Sequence, residues 1–117
     1  MESIPDFTET ELWTIKEALR ERYRYGSQVE LQLADAELRL DPNEPVMTWC
    51  PTVFWQVDVV SFVIFKTAPE RYRCQFFYSA KEQFGTGIEE FDNIAECVTV
   101  LLQTQADHEG KKNLESN

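Results

Sequence analysis

The sequence predicts an α+β fold, a two-layer sandwich in which two helices pack against one face of an antiparallel sheet. Apolar residues recur at helical spacing near both ends of the chain, and they alternate with polar residues through its middle. Helices that flank a continuous run of strands are typical of this architecture, because the apolar side of the sheet needs a covering layer. The predicted order is an N-terminal helix, about four strands and a C-terminal helix.

Composition and charge exclude several classes of protein. The chain has 117 residues, of which 43% are hydrophobic, and this suffices for the core of one domain. Its formal net charge of -10 disfavours direct binding to nucleic acid or to an anionic membrane. The longest apolar run, 57–65, is interrupted by polar residues and is shorter than the ~20 residues that span a bilayer. Three widely spaced cysteines and the lack of a leader pattern favour a cytoplasmic location.

The N-terminal segment predicts a helix over residues 9–25. Thr8 and Glu11 have the spacing of a capping box, and Phe7 lies where a hydrophobic staple begins. The apolar stripe that follows consists of Leu12, Ile15, Leu19 and Tyr23. We expect Gly26 to end this helix in the left-handed conformation.

Alternating apolar residues predict strands over 52–57, 60–66 and 71–79, preceded by a strand that begins at Val29. The apolar parity changes near Ala34 and Asp35. A bulge or a tight turn there would return the apolar side chains to a common face. Residues 41–45 contain two prolines and are predicted as a loop, and 83–88 as a loop or a short edge strand.

The last predicted element is a helix with Asp92 or Asn93 as its N-cap. Its apolar stripe consists of Ile94, Cys97, Val98, Leu101 and Leu102. We expect the helix to end near Ala106. Residues 1–106 are therefore predicted as a single α+β domain and 107–117 as a flexible polar tail, which contains His108.

The sequence offers few groups for catalysis. His108 is the one histidine, and a tail residue is not held within hydrogen-bond reach of a substrate. The acidic residues of 89–96 lack the spacing of a calcium loop, and the glycines at 85 and 87 are too close together for a phosphate loop. We therefore expect no enzymatic activity, no cofactor and no metal site.

Both faces of the predicted sheet are apolar, and two helices can cover one of them. Tyr72, Cys74, Phe76 and Tyr78 share one side of the last long strand, whereas Phe77 lies on the other side with Arg73. The predicted interaction surface consists of Phe54, Phe65, Arg73 and Phe77, because exposed apolar area is typical of such surfaces. The alternative is that segment 33–48 folds over this face.

Three functions follow from these patterns. The first is a non-catalytic interaction module, such as an accessory, adaptor or inhibitor protein, which binds a partner protein or forms a homodimer. The second is an acidic decoy of a nucleic-acid-binding surface, since acid is dense in 27–60 and 81–117. The third is a small-ligand or redox site around a reactive thiol at Cys50, with Trp49 and Trp55 as apolar walls.

Overall fold

The computed structural model describes residues 4–115 and confirms the predicted α+β fold. Its elements are α1 (Glu9–Arg22), a 3-10 turn (Gly26–Gln28), β1 (Gln32–Leu38), β2 (Thr48–Val57), β3 (Val60–Ala68), β4 (Arg71–Ser79), β5 (Glu82–Gly85) and α2 (Ile94–Glu115). The strands lie in the order β1-β2-β3-β4-β5, and every neighbouring pair is antiparallel. The sheet has five strands instead of about four, because 82–85 pairs with β4.

Both helices lie on the same side of the sheet. α2 packs on β4, and α1 packs beside α2. The smallest dimension of the molecule is 21 Å, which corresponds to two layers because a helix and a sheet each occupy about 10 Å. Within residues 4–115, no helix lies on the opposite side of the sheet.

The start of α1 is as predicted, but its end is not. The Thr8 hydroxyl accepts the backbone N–H of Glu11, and the Glu11 carboxylate accepts that of Thr8, which completes the capping box. α1 ends at Arg22, and Gly26 does not adopt the predicted left-handed conformation. Glycine is needed there for close packing instead, because a Cβ atom at Gly26 would lie 2.0 Å from the Leu19 carbonyl oxygen.

The prediction of a bulge in the first strand is wrong. β1 pairs with β2 without a shift from Gln32–Phe54 to Leu38–Thr48. Leu33 consequently points to the helix side of the sheet, where 62% of it is exposed. No helix covers this edge strand, so neither of its faces has to be buried. A bulge that would bury Leu33 is therefore not required.

Two tight turns form without glycine. Asp58 has φ 54° in the β2–β3 turn, and Glu70 has φ 57° in the β3–β4 turn. Aspartate tolerates the left-handed region better than most residues, and Pro69 presets the backbone before Glu70. These conformations explain how tight turns join consecutive strands at positions where the sequence has no glycine.

The prediction that α2 ends near Ala106 is wrong. Asn93 caps the helix, since its side-chain oxygen accepts the backbone N–H of Glu96 at 2.9 Å. The helix then continues to Glu115, so 107–115 is helical, and the last two residues of the predicted tail lie outside the described part. No helix of the described residues is long and apolar enough to span a membrane.

Candidate interaction surface

The helix side of the sheet forms the core. Its fully buried side chains include Val53, Trp55, Phe62, Ile64 and Phe76. The ring of Trp55 stacks on that of Phe62, with 5.4 Å between their centroids. The predicted inward parity of β2, β3 and β4 is therefore confirmed.

The opposite side of the sheet, called here the outer face, carries the four residues predicted as an interaction surface. In the β3–β4 register, Phe65 lies opposite Arg73 and Ser61 lies opposite Phe77. Phe54 on β2 lies opposite Val63 on β3. The outer face thus presents Phe54 beside Val63, with Phe65 and Phe77 in the two adjacent rows of the register. Phe54, Phe65 and Phe77 are all half-buried.

One end of the outer face is covered by the β1–β2 connection. The Arg73 guanidinium reaches across the sheet and donates to the Leu40 carbonyl oxygen at 3.1 Å. Below this contact, Cys50 is fully buried and Thr52 is 5% exposed. The alternative in which segment 33–48 covers the outer face is therefore correct at this end. The end that carries Phe54 and Phe77 has no such cover from the described residues.

The outer face is nearly free of net charge. Among the described strands, its charged side chains are Arg71 and Arg73, and each one pairs with an acid from the segment before α2. Arg71 lies 3.7 Å from Asp92, and Arg73 lies 3.4 Å from Glu90. The face therefore remains close to neutral in a chain whose net charge is -10.

The structure separates the residues of the predicted Cys50 site. Cys50 lies on the outer face, whereas strand alternation places Trp49 and Trp55 on the helix side. The Cys50 thiol donates to the Thr48 carbonyl oxygen at 3.7 Å. Burial raises the pKa of the Cys50 thiol, although nearby Arg73 acts in the opposite direction. This environment disfavours the reactive thiolate, and the two tryptophans do not share a cavity with Cys50.

The other two cysteines meet each other. Cys74 on β4 and Cys97 on α2 face the same interlayer space. Hydrogen bonding to Cys74, together with burial, raises the pKa of the Cys97 thiol. All three cysteines are free thiols. Sequence reasoning placed both residues in the core but had no signal for their contact, which depends on how α2 crosses β4.

A buried polar cluster joins α1 to the sheet, and the sequence analysis missed it. The Glu11 carboxylate accepts a hydrogen bond from Lys66 Nζ at 2.8 Å and another from the Tyr72 hydroxyl. Lys66 Nζ donates in addition to the Asp6 carbonyl oxygen at 3.0 Å. Lys66 is 3% exposed and Tyr72 is 2% exposed. The available signal was the inward parity of Lys66, which follows Phe62 and Ile64 on the buried side of β3.

The ionisation of Glu11 and Tyr72 in this cluster is that of groups held in a structural contact. Burial raises the pKa of Glu11, but hydrogen bonds from Lys66, Tyr72 and the Thr8 backbone outweigh it, so the pKa lies below its ordinary value. Burial and the bond to Glu11 raise the pKa of Tyr72. Glu11 is thus charged and Tyr72 neutral at pH 7, and both carboxylate oxygens are engaged.

His108 lies on α2 and not in a tail. Its imidazole packs against the rings of Phe84, Tyr78 and Phe76, with centroid distances of 4.2, 5.6 and 5.7 Å. The Tyr78 hydroxyl also donates a hydrogen bond to the Glu109 carboxylate at 2.5 Å, which fixes the same turn of α2 on the sheet. These contacts explain why a polar sequence continues as a helix beyond Ala106, since packing outweighs its weak local preference.

Within the described residues, no group of three His, Cys, Asp or Glu side chains could hold a metal ion. Comparisons of the chain with protein-family models, with curated proteins and with solved structures find no match. The functional inference therefore depends on the surfaces described above.

Proposed function

We propose that this protein is a non-catalytic interaction module that forms a homodimer through its outer face. The observation that carries this proposal is a five-stranded sheet with both helices on one side and half-buried Phe54, Phe65 and Phe77 on the other. Removal of apolar surface from water is favourable by about 25 cal/mol per Å². A twofold axis covers two such faces in one contact.

The size of the outer face limits the affinity of such a homodimer. Five strands at a spacing of about 4.8 Å and strands of nine residues at about 3.3 Å per residue give a footprint of roughly 700 Å². Stable protein interfaces bury about 800 Å² on each partner. The footprint lies below that value even before the end covered by the β1–β2 connection is subtracted, so we expect a weak homodimer with a dissociation constant in the micromolar range or higher.

The charge distribution favours a second copy as the partner. Two chains of net charge -10 repel each other, and the repulsion is least when the contact surfaces themselves carry no net charge. The outer face meets this condition, because Arg71 and Arg73 are both neutralised within the chain. The three free cysteines are consistent with a cytoplasmic location, which belongs to the same proposal.

Arg73 takes a different role from the one its sequence position indicated. Its side chain is 27% exposed, and its guanidinium is bonded to Glu90 and to the Leu40 carbonyl oxygen. We therefore assign Arg73 to holding the β1–β2 connection in place. Phe54 and Phe77, at the uncovered end, are the proposed anchors of the dimer, since aromatic side chains dominate interface energies.

The test compares Phe77→Ala with Tyr25→Ala by sedimentation equilibrium and thermal unfolding. Tyr25 is 62% exposed and lies after α1, away from the outer face, so it serves as the aromatic control. Phe77→Ala should weaken self-association by about 2 kcal/mol, roughly thirtyfold, and leave the monomer folded. Tyr25→Ala should leave association unchanged. A monomeric wild-type protein that loses about 3 kcal/mol of stability on Phe77→Ala would show that Phe77 belongs to the core and would contradict the proposal.

A further inference from the structure

A second apolar surface lies on the helix side of the sheet, between α1 and β1. It is a groove of about 590 Å³ whose apolar lining consists of Leu12, Trp13, Val29, Leu31 and Leu33. Trp13 and Leu33 are each 62% exposed, although both are large apolar side chains. The groove exists because α1 does not reach over β1, the edge strand of the sheet.

Two further hollows continue this groove. Leu33 also lines a hollow of about 330 Å³ with Phe7 and Pro51, and Trp13 lines one of about 560 Å³ with Thr10. The shared side chains make the three hollows neighbours, and together they run along the flank of α1. This length suits an elongated ligand such as a segment of protein chain.

The central hollow is lined by two acidic and two basic side chains, but the rim of all three hollows together is acidic. Its lining includes five acidic side chains against two basic ones, Lys16 and Arg20. The acidic residues are Asp6, Glu9, Glu17, Glu30 and Asp35. Arg20 and Glu17 pair at 2.7 Å and neutralise each other, so four acidic side chains remain against Lys16, and three of them line the two flanking hollows. An exposed indole next to such a rim also attracts cationic side chains through its ring face.

We propose that this groove binds a basic amphipathic helix of a partner protein. Apolar side chains at positions i, i+3, i+4 and i+7 of that helix would lie between Trp13 and Leu33, and its Lys and Arg side chains would face the acidic rim. A strand added to the free edge of β1 would place alternate side chains on both sides of the sheet. The exposed apolar lining lies on the helix side alone, which favours a ligand with one apolar face. The central hollow between Trp13 and Leu33 lies on the side of the sheet opposite to the outer face, so this inference is independent of the homodimer.

The probe is a synthetic helical peptide of Leu and Lys with an amphipathic pattern and no aromatic residues, titrated by calorimetry. Binding should saturate and weaken with added salt. In a Trp49→Phe background, needed because Trp49 is also 63% exposed, binding should shift the emission of Trp13 to shorter wavelength. Leu33→Ser should weaken binding roughly tenfold, as should Trp13→Ala. Val59→Ser is the matched control, because Val59 is 73% exposed in the β2–β3 turn outside the groove. It should bind as the wild type does, and the thermal midpoints should confirm that all three variants fold.

Several outcomes would overturn the proposal. The first is the absence of saturable binding. The second is that a sequence-scrambled peptide, or the peptide with Glu in place of Lys, binds equally well. The third is that Leu33→Ser and Val59→Ser have equal effects on binding. Tighter binding of an alternating Leu-Lys peptide, which forms strands, would identify β1 edge addition instead. A change of oligomeric state on Trp13→Ala without any peptide would identify a second copy of this chain as the occupant.

Discussion

Glu11 makes two contacts, one within the cap of α1 and one with the sheet. Its carboxylate caps α1 through the Thr8 backbone N–H at 2.7 Å, and it also neutralises the buried Lys66 ammonium. Transfer of two charges out of water is costly, so this ion pair contributes little to net stability compared with apolar packing. Removal of one partner is a different matter, because it leaves the other charge buried without a counterion.

Glu11→Gln should lower the free energy of unfolding by about 3 kcal/mol, since Lys66 would remain buried without an anion. Glu9→Gln is the control, because Glu9 is an exposed acid in the same first turn of α1. That change should cost less than about 1 kcal/mol, the size of a helix-dipole interaction. Equal losses for the two variants in chemical denaturation would show that the buried pair has no special role.

The same carboxylate gives a pH dependence. The pKa of Glu11 is lowered in the folded protein from its ordinary value of 4.5, so its contribution is present above that value and is lost as the pH falls below it. Wild-type stability should therefore approach that of Glu11→Gln as the pH falls below about 4.5. A stability difference that stays constant from pH 7 to pH 3 would contradict the lowered pKa.

At the scale of elements, the close approach between α1 and the turn after it depends on a glycine. Gly26→Ala should destabilise the protein by about 2 kcal/mol, because the new Cβ atom would lie within 2.7 Å of three backbone atoms of Leu19 and Arg20. Gly110→Ala in α2 is the control, since open space surrounds that position. It should raise stability by up to about 1 kcal/mol through helix propensity. Thermal unfolding that ranks the two variants in the opposite order would refute this explanation.

Element type and inward parity were predictable from the sequence, because both follow from local periodicity. The sides assigned to Phe76 and Phe77 are correct for this reason. The course of β1 was not predictable, since whether Leu33 must be buried depends on how far α1 extends over the sheet. The length of α2 depends in the same way on the contact of His108 with Phe84, a pairing of residues distant in sequence.

The proposed interaction surface shows the same division between local and distant information. Alternation placed Phe54, Phe65, Arg73 and Phe77 together on one side of the sheet, and the register of the strands agrees. The bond from Arg73 to Leu40 joins residues 33 positions apart, and no sequence pattern predicts it. Because of that bond, we assign Arg73 a structural role within the chain. The aromatic residues, and not Arg73, are the proposed anchors of the dimer.

For the molecule as a whole, two layers leave apolar surface on both sides of one sheet. The outer face is neutral and broad, which suits a second copy of the chain. The groove beside α1 is narrower and has an acidic rim, which suits a basic helix. A homodimer through the outer face would therefore present two grooves that point away from each other, the arrangement of a module that joins two partners.

Sedimentation velocity of the wild-type protein across a dilution series through the micromolar range tests the central claim most directly. The proposed homodimer predicts a reversible, concentration-dependent change between the 13.7 kDa monomer and a species of twice that mass. Added salt should strengthen or leave unchanged this association, because screening reduces repulsion between two chains of net charge -10. A single 13.7 kDa species at every concentration and at both low and high salt would contradict the claim.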